Sequence, residues 1–425
     1  MSKKKEGKQK HVTRRQISRW QQQQRMQRII VGSGIAVIAI VLGIVAGGWF
    51  INSFLPLRQT VMRVNDTELN MGYYVKALKY YGGGIPAEYL WYYNEEIVSL
   101  IQEGELVAYG ATKLDISVSD YELDKYIEYE RPSPSRDLQD VNRDAARTEL
   151  LLDKMFDNYF DKEVPVSAEQ RHVMAMFLEY ESQAAEIKNK IESGEDFATY
   201  AAKLSMETVS QEAEGDLGWH PEGALALILG TPVPGEYAFN AEEEVLSQPL
   251  YDAETTKSTG YWLIKVLERN EGDGTSHIHA ILLGSEEEAL EVKAEAEAGE
   301  DYEFDLLAEE YSQHSPSNTD KGCLDWLAPG TMSEVFDEYA FDPDLEMNKI
   351  SPPIKDDTVQ TKGGYWLVKV VETDEDREIE SNDRDLLKSK ELEDWLASLW
   401  DNPDNIVESY LDDEMIIWAI NHATS

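Results

Sequence analysis

The sequence predicts an α+β protein with an N-terminal transmembrane helix, because three patterns divide the chain. A long uncharged apolar run lies near the N-terminus, at 29–51. A unit that mixes strand and helix patterns occurs twice between residues 167 and 373, which predicts helices packed on a sheet in each copy. Helical patterns flank the two copies, at 58–166 and 374–425. A chain of 425 residues is long enough to form several separate cores.

Residues 1–28 read as a basic tail that precedes a membrane anchor. They hold ten Lys and Arg against the single acid Glu6, so we expect this end in the cytoplasm. The run from Ile29 to Ile51 has 23 uncharged residues, roughly 34 Å of helix, which spans a bilayer core. We therefore expect a single-pass anchor within 29–57 and everything after Arg58 outside the cytoplasm. A cleaved signal peptide is the alternative, but its apolar stretch is usually shorter and a small-residue cleavage site is missing.

The region beyond the anchor is strongly acidic. It holds 29 bases against 81 acids, a net charge of −52. Such a surface repels nucleic acid and anionic lipid headgroups, so neither is an expected ligand. It favours basic or neutral client proteins, although solubility or a saline habitat also explains the charge. The single cysteine, Cys323, excludes an internal disulfide.

The segment 58–166 predicts a mostly helical domain after one short strand. Val61 to Val64 has a strand pattern and ends at a turn signal, Asn65-Asp66. Further along, Ser119-Asp-Tyr-Glu122 has the spacing of a capping box at a helix start. The aromatic run from Tyr89 to Tyr93 is interpreted as core, with a surface that binds client proteins as the alternative.

Ordered matches at nearly constant spacing define the duplicated unit. Gly215-Asp-Leu-Gly-Trp219 recurs 107 residues later as Gly322-Cys-Leu-Asp-Trp326. Three single residues recur at the same offset: Phe197 as Phe304, Ser205 as Ser312, and His172 as His279. The segment Gly260–Val266 recurs 104 residues later as Gly364–Val370. We therefore expect two domains of one design, at 167–270 and 275–373.

Both copies have the same predicted order of elements. A first strand, an amphipathic helix, a second helix, a Gly-rich loop and a last strand follow one another. The first strands are Val173–Leu178 and Ile278–Leu283, and the last are Tyr261–Leu267 and Tyr365–Val371. The tail from 374 is helical again, and Met415 to Ile420 is too apolar to remain exposed. We expect this C-terminal helix to pack back onto the N-terminal helical domain.

The motif order in the copies resembles the parvulin family of peptidyl-prolyl cis-trans isomerases. The first copy carries the resemblance as His172-Val-Met, Gly194-Glu-Asp-Phe197, Leu204-Ser205, Gly215–Trp219 and Gly260–Val266. The second copy matches less closely but in the same order. Helical segments before and after such domains are similar to those of the PrsA and SurA foldases, with 58–166 resembling the N-terminal chaperone domain of SurA. The resemblance implies an extracytoplasmic protein that binds unfolded or newly exported chains.

In parvulins, as the resemblance implies, Met and Phe wall a pocket for the proline ring, and two histidines, a Cys or Asp, and a hydroxyl lie nearby. Carried over to this sequence, the polar candidates are His172, Glu207 and Trp262, with Thr259 as a looser match, in the first copy, and His279, His314, Thr361 and Trp366 in the second. The wall candidates are Leu225, Leu229 and Phe239, and Met332, Phe336 and Phe341. Strand alternation also places His277 on the same face as His279.

Both copies depart from the family at its second histidine, which is replaced by Trp262 and Trp366. An indole only donates a hydrogen bond and cannot exchange tautomers with an imidazole. Two functions therefore remain open: a foldase that isomerises X–Pro bonds, and a non-catalytic chaperone or scaffold that only binds peptides. A subunit that docks one fixed partner is a third. Tryptophans that fill the proline pockets would favour the non-catalytic interpretation.

Several other chemistries are not expected. The loops after the first strands are acidic, Glu179-Tyr-Glu181 and Ser285 to Glu288, so a phosphorylated client would be repelled. The sequence has no HExxH, P-loop, GxSxG or CxxC motif. Its seven histidines and one cysteine show no metal-ligand spacing, so we expect neither a metal nor a cofactor.

Overall fold

The computed structural model describes residues 40–45, 47–48, 50, 54–131, 134–299 and 303–424. The basic tail and most of the predicted anchor lie outside these residues. Within the described part of the chain, no helix combines the length and the apolar character needed to cross a bilayer. The chain divides into two compact units, which are Met1–Tyr159 with Leu392–Ser425, and Phe160–Glu391.

The described chain contains eleven strands. In chain order the strands are β1 (Thr60–Val64), β2 (Thr67–Asn70), β3 (Ser167–Leu178), β4 (Asp216–Pro221), β5 (Leu250–Lys257), β6 (Gly260–Asn270), β7 (Thr275–Leu283), β8 (Cys323–Leu327), β9 (Ile354–Asp356), β10 (Thr361–Glu378) and β11 (Val407–Ser409). They form one three-stranded and two four-stranded sheets, all antiparallel.

The α-helices, in chain order, are α1 (Met71–Tyr81), α2 (Ala87–Leu90), α3 (Asn94–Lys113), α4 (Asp120–Glu130), α5 (Gln139–Lys154), α6 (Asp161–Glu163), α7 (Glu181–Glu192), α8 (Phe197–Leu204), α9 (Thr208–Glu212), α10 (Ala224–Leu229), α11 (Val233–Ala238), α12 (Glu286–Ala298), α13 (Glu303–Tyr311), α14 (Ser315–Thr319), α15 (Glu334–Ala340), α16 (Ser381–Asp401) and α17 (Asp413–Ala423). Short 3-10 turns lie at Pro56–Arg58 and Arg136–Leu138. A π-helical stretch at Met155–Phe160 follows α5 directly.

The first unit joins the two ends of the described chain. Its sheet has the strand order β11-β1-β2, and the predicted turn between β1 and β2 contains Asn65 at φ 51°. Ile416 and Ile420 of α17 are buried in the same core as Val61 of β1 and Tyr74 of α1. This packing confirms the expectation that the C-terminal helix returns to the N-terminal domain. The predicted capping box at the start of α4 is also present.

The aromatic run before α3 is not part of that core. The side chains of Tyr89, Trp91, Tyr92 and Tyr93 are 52%, 40%, 78% and 46% exposed, whereas Leu90 between them is buried. Because α2 is a single turn, it buries only one side of this segment. The interpretation of these aromatics as core residues is therefore wrong, and the alternative that they form a surface remains.

The second unit contains both sequence copies, and the copies exchange their last strands. The strand orders are β4-β3-β10-β5 and β8-β7-β6-β9. Strand β10 of the second copy lies between β3 and β5 of the first, with Val370 opposite Val173. Strand β6 of the first copy lies between β7 and β9 of the second, with Ile264 opposite Ala280. The ranges 167–270 and 275–373 are therefore repeats of sequence, and neither forms a complete sheet by itself.

The two chain segments cross where β5 leads into β6 and β9 leads into β10. The hydroxyl of Thr259 donates to a carboxylate oxygen of Asp357 at 2.9 Å, and the hydroxyl of Thr361 donates to the carbonyl of Thr259. A Cβ at Gly260 would lie 2.7 Å from Cγ2 of Thr361. A glycine at the start of β6 thus lets the crossing segments approach each other closely.

Candidate functional site

Backbone hydrogen bonds show which positions of the two first strands are equivalent. The amide of Ala175 in β3 donates to the carbonyl of Gly215, and the amide of Ala280 in β7 donates to the carbonyl of Gly322. Equivalent residues of these strands are therefore 105 positions apart, although the following glycines are 107 apart. Two more residues lie between the first strand and the glycine in the second copy.

This register corrects the pairing of the strand histidines. His172 lies opposite Trp219, and His277 lies opposite Trp326, so His172 corresponds to His277. His279 corresponds instead to Met174. The expectation that His172 and His279 are the same position is wrong. It applied the offset of 107 residues between the glycine motifs to the first strands, whose offset is 105.

His279 lies on the face of the sheet opposite to its proposed proline wall. Ala280 and its alternate neighbours pack against Trp262 and Phe336. Strand alternation turns His279 to the other face, where its Nδ1 lies 2.9 Å from Oδ1 of Asp305 on α13. The structure therefore does not bring His279 together with the wall residues Met332, Phe336 and Phe341.

The histidine of the first copy is arranged in the same way. Val173 and Phe177 face the cluster that holds the wall candidates, so His172 points to the opposite face. Its Nε2 lies 2.6 Å from Oδ1 of Asp216 on β4, and its ring packs against Trp219 with centroids 5.6 Å apart. Neither strand histidine is thus placed to contact a proline ring held by the wall.

The wall candidates form apolar clusters, each around a tryptophan from the other copy. Met332, Phe336 and Phe341 pack with Trp262, and Leu225, Leu229 and Phe239 pack with Trp366. Because β6 and β10 are exchanged, each tryptophan packs against the wall candidates of the other copy. Thr361, predicted beside Trp366, lies instead at the crossing of the two segments, where it is buried and bonded to Thr259.

The two tryptophans are interior residues. Trp262 is 1% exposed and Trp366 is fully buried. Nε1 of Trp262 donates to Oδ2 of Asp356 at 3.0 Å, and Nε1 of Trp366 donates to Oδ2 of Asp252 at 2.9 Å. Burial disfavours the charge of both aspartates, but the hydrogen bonds they accept lower the pKa of each below its usual range. The indoles therefore fill both clusters and are fixed in place.

These two aspartates were not among the site residues predicted from the sequence, although a signal was present. Each aspartate precedes the tryptophan of its own copy by ten residues, Asp252 before Trp262 and Asp356 before Trp366. The strand exchange then gives each indole the aspartate of the other copy. A polar residue repeated at the same offset as the Gly-Tyr-Trp motif was the available indication.

The positions of Glu207 and His314 have different roles in the two copies. The carboxylate of Glu207 accepts hydrogen bonds from the amides of Val209 and Ser210 at 2.8 and 2.7 Å, so it caps α9. The ring of His314 packs edge-on against Trp262, 5.2 Å away. Burial lowers the pKa of His314, and its buried Nδ1 has no hydrogen-bond partner within the described residues. Of these two positions, His314 and not Glu207 therefore places a polar atom without a described partner beside a buried tryptophan.

Another polar cluster lies on the opposite face of the β8-β7-β6-β9 sheet. Ligand atoms of His277, His279 and Cys323 all lie within 4.8 Å of one another. Cys323 on β8 is paired with His279 on β7, and its Sγ lies 3.5 Å from Nε2 of His277. The sequence showed no metal-ligand spacing because the sheet pairs a His-x-His strand with a cysteine that is distant along the chain.

Both copies match the profile of a known protein family. The profile of the rotamase family, the PPIC-type PPIase domain, matches residues 173–268 and 284–372. The foldase protein PrsA of Geobacillus kaustophilus is 40% identical over 92 residues, which are 22% of this chain and 30% of that protein. The chaperone SurA of Nitrosococcus oceani is 27% identical over 260 residues, 56% of this chain and 55% of SurA. The chain thus matches less than two thirds of the length of either relative.

A longer match is found with the foldase protein PrsA of Oceanobacillus iheyensis. It is 28% identical over 257 residues, which are 60% of this chain and 69% of that protein. The crystal structure of PrsA from Streptococcus pneumoniae aligns with 86% of this chain and 94% of its own, at 11% identity and a TM-score of 0.26. That score is too low to establish a common arrangement of the whole chain.

Proposed function

We propose that this protein is a chaperone that binds unfolded exported polypeptides. Both copies match the parvulin (PPIC-type PPIase) family model, and the chain is similar to PrsA foldases and SurA chaperones. In this proposal the protein is anchored by one N-terminal helix and works outside the cytoplasm. The uncharged run at 29–51 and the basic residues before it support the anchor and its orientation.

The exposed aromatic row at Tyr89, Trp91, Tyr92 and Tyr93 carries the proposal. Contiguous exposed apolar surface marks binding sites on soluble domains, and Trp and Tyr dominate the energy of protein interfaces. The acids Glu88, Glu95 and Glu96 flank the row on both sides. This charge favours neutral or basic unfolded segments as clients, and it repels nucleic acid and phosphorylated chains.

The geometry favours binding without proline isomerisation. A parvulin-type pocket needs room for the proline ring beside its wall, and in both clusters a buried tryptophan packs against the wall residues. The strand histidines His172 and His279 face away from the walls. The indoles of Trp262 and Trp366 each donate to a buried aspartate, which holds them in place.

An aggregation assay tests the binding function. We expect the full-length protein in detergent to suppress aggregation of an unfolded client, and the combined variant Tyr89→Ser, Trp91→Ser, Tyr92→Ser, Tyr93→Ser to lose most of that suppression. The control replaces two aromatics that are more exposed than Tyr89, Trp91 and Tyr93, Tyr121→Ser with Tyr129→Ser, and should retain it. Full suppression by the four-substituted variant at every ratio would contradict the proposal.

Proline isomerisation is the second candidate activity, and the unpartnered Nδ1 of His314 favours the second wall as its place. A protease-coupled isomerisation assay of the intact protein separates the two functions. The proposal expects no acceleration over the uncatalysed reaction, which takes tens to hundreds of seconds. Acceleration that His314→Ala or Met332→Ala removes, and that Glu207→Ala retains, would instead assign an active site to the second wall.

A further inference from the structure

We propose that His277, His279 and Cys323 form a binding site for a transition-metal ion that prefers imidazole and thiolate ligands, with Zn²⁺ as the expected occupant. The three side chains lie on one face of the β7–β8 pair, on the side away from the tryptophan cluster. The site is therefore separate from the proline wall. Two imidazoles and one thiolate are a ligand set that zinc takes up in proteins.

The distances suit a tetrahedral ion. Bonds of about 2.3 Å to sulfur and 2.0–2.1 Å to nitrogen place the ligand atoms of a zinc site roughly 3.3–3.7 Å apart. Sγ of Cys323 and Nε2 of His277 are already 3.5 Å apart, and all three ligand atoms lie within 4.8 Å. Small side-chain rotations close the remaining gap, because the residues come from adjacent paired strands and the backbone need not move.

The surroundings hold both imidazoles in orientations that suit a metal. Nδ1 of His279 lies 2.9 Å from a carboxylate oxygen of Asp305, so its Nε2 is left for the ion, and the carboxylate fixes the ring as in many metal sites. The ring of His277 stacks on the indole of Trp326 at 21° between planes, with centroids 5.6 Å apart. All three ligand residues are partly accessible to solvent.

The first copy provides a natural comparison at the same backbone positions. There His172 replaces His277, Met174 replaces His279, and Asp216 replaces Cys323, as the strand pairing shows. In that copy the histidine is engaged by the carboxylate, with Nε2 of His172 2.6 Å from Oδ1 of Asp216. The second copy thus differs at two positions that are paired across β7 and β8, and both differences introduce ligands that suit Zn²⁺.

Three protein ligands leave the fourth position of the ion open to water or to a side chain of a bound polypeptide. Binding requires the thiolate of Cys323, so the thiol proton is released to solvent as the metal–sulfur bond forms. The ion would also bridge β7 and β8, and because the unfolded chain does not hold these ligands together, bound metal stabilises the folded second sheet.

A Zn²⁺ competition titration against a chromophoric chelator tests the site, using the untagged full-length protein in detergent with a thiol-free reductant. We expect one equivalent of Zn²⁺ per chain, release of a proton, and a raised unfolding temperature. With Co²⁺ in place of Zn²⁺, a thiolate-to-metal charge-transfer band should appear. Cys323→Ser and His279→Ala should each weaken binding at least ten-fold, and Asp305→Asn should weaken it less.

The matched controls come from the first copy. His172→Ala and Asp216→Ala should leave binding unchanged, whereas Met174→His with Asp216→Cys should add a second equivalent of bound metal. Circular dichroism of each variant checks that it is folded, and the added-site variant does not depend on disrupting the native one. Substoichiometric binding by the parent protein, or equal affinity in Cys323→Ser, would overturn the proposal.

Discussion

The two four-stranded sheets of Phe160–Glu391 share their backbone pairing but differ in the side chains at their edges. Both hold a buried tryptophan bonded to a buried aspartate. In both, the amide of the residue two positions after Ala175 or Ala280 donates to a serine hydroxyl, Ser205 or Ser312. The sheets therefore share the tryptophan, aspartate and serine contacts that complete their cores. The differences lie on the edge strands β4 and β8, in the loops before them, and at Met174 of β3, which corresponds to His279 of β7.

A repeat in the sequence therefore need not be a folded domain or a complete site. Each sheet takes its third strand from the other copy, so residues that are neighbours in one repeat belong to different clusters in space. Trp366 follows Phe336 in the second copy, but it packs with Leu225 and Leu229 of the first. Functional residues carried over copy by copy are thus distributed between two places.

Disulfide cross-linking is the most direct test of the strand exchange between the two copies. In a Cys323→Ser background, Arg171→Cys with Thr373→Cys should cross-link almost completely, because Arg171 and Thr373 lie opposite each other on β3 and β10. Directly opposed residues of antiparallel strands have Cα atoms about 4.5–5.5 Å apart, within the range of a disulfide. Peptide mass mapping of the oxidised protein measures the bond.

The control for the exchange places the second cysteine on the other candidate strand. Arg269 occupies the position in β6 that Thr373 occupies in β10, and it lies opposite Ser276. The pair Arg171→Cys with Arg269→Cys should therefore remain reduced. Efficient cross-linking of this control pair, with none in Arg171→Cys plus Thr373→Cys, would show that each copy keeps its own last strand.

Substituting each tryptophan measures how much it stabilises the core of each sheet. Trp262→Ala and Trp366→Ala should each lower the free energy of unfolding by about 3–5 kcal/mol, because each leaves a large cavity and removes a donor from a buried aspartate. Chemical denaturation measures the loss. The exposed Tyr251→Ala is the control and should change stability by less than about 1 kcal/mol.

Hydrogen exchange then shows which sheet each tryptophan supports. Trp262→Ala should loosen the amides of β7 and β8, although Trp262 belongs to the first copy, and Trp366→Ala should loosen β3 and β4. The opposite assignment, with Trp262→Ala loosening β3 and β4, would contradict the cluster composition described above.

Two histidines should give the sheets opposite responses to pH. Burial opposes the charge of His220, but its Nδ1 lies 2.7 Å from Oδ2 of Asp383 and its Nε2 lies 2.7 Å from the carbonyl of Leu217, and the pKa is raised overall. The stability it contributes is present below the unfolded pKa, about 6.5, and is lost as the pH rises through the folded value. The equivalent position in the second sheet is Leu327.

The pKa of His314 is lowered by burial, so its contribution has the opposite sign: it is present above about pH 6.5 and is lost as the pH falls through the folded value. Relative to the parent, His220→Gln should be destabilised by about 1–2 kcal/mol more at pH 5.5 than at pH 8. His314→Phe should be relatively more stable at pH 5.5. Denaturation curves at the two pH values measure both, and parallel shifts in the two variants would contradict the assignment.

The sequence predicted the first and last strands of each copy and the two helices that follow each first strand. It did not predict β5 and β9, a Gly-rich loop was expected where β4 and β8 lie, and the partners of the last strands were not predicted. The α+β repeats, the capping box at Ser119 and the return of α17 to the first core were all predicted. The last strands read Gly-Tyr-Trp-Leu-Ile-Lys-Val and Gly-Tyr-Trp-Leu-Val-Lys-Val, starting at Gly260 and Gly364. Because their side-chain alternation is identical, either strand satisfies either sheet, and only the path of the connecting chain decides between them.

The candidate site was less predictable, because it depends on register. A shift of one residue along a strand moves a side chain to the opposite face, and this separates His279 from Ala280 and hence from the wall. The exposed aromatics at Tyr89–Tyr93 were misjudged because the local pattern does not show how short α2 is. The cluster at Cys323 depends on pairing between strands that are distant along the chain, which spacing alone does not reveal.

The strand exchange also sets the order in which the protein can mature during synthesis. Residues of β3 and β5 emerge early, but the strand that joins them, β10, ends only at Glu378. Until then their open edges are templates for pairing with other chains, and a nascent first sheet cannot close domain by domain from its N-terminus. The first sheet therefore remains incomplete until the whole second repeat has been synthesised.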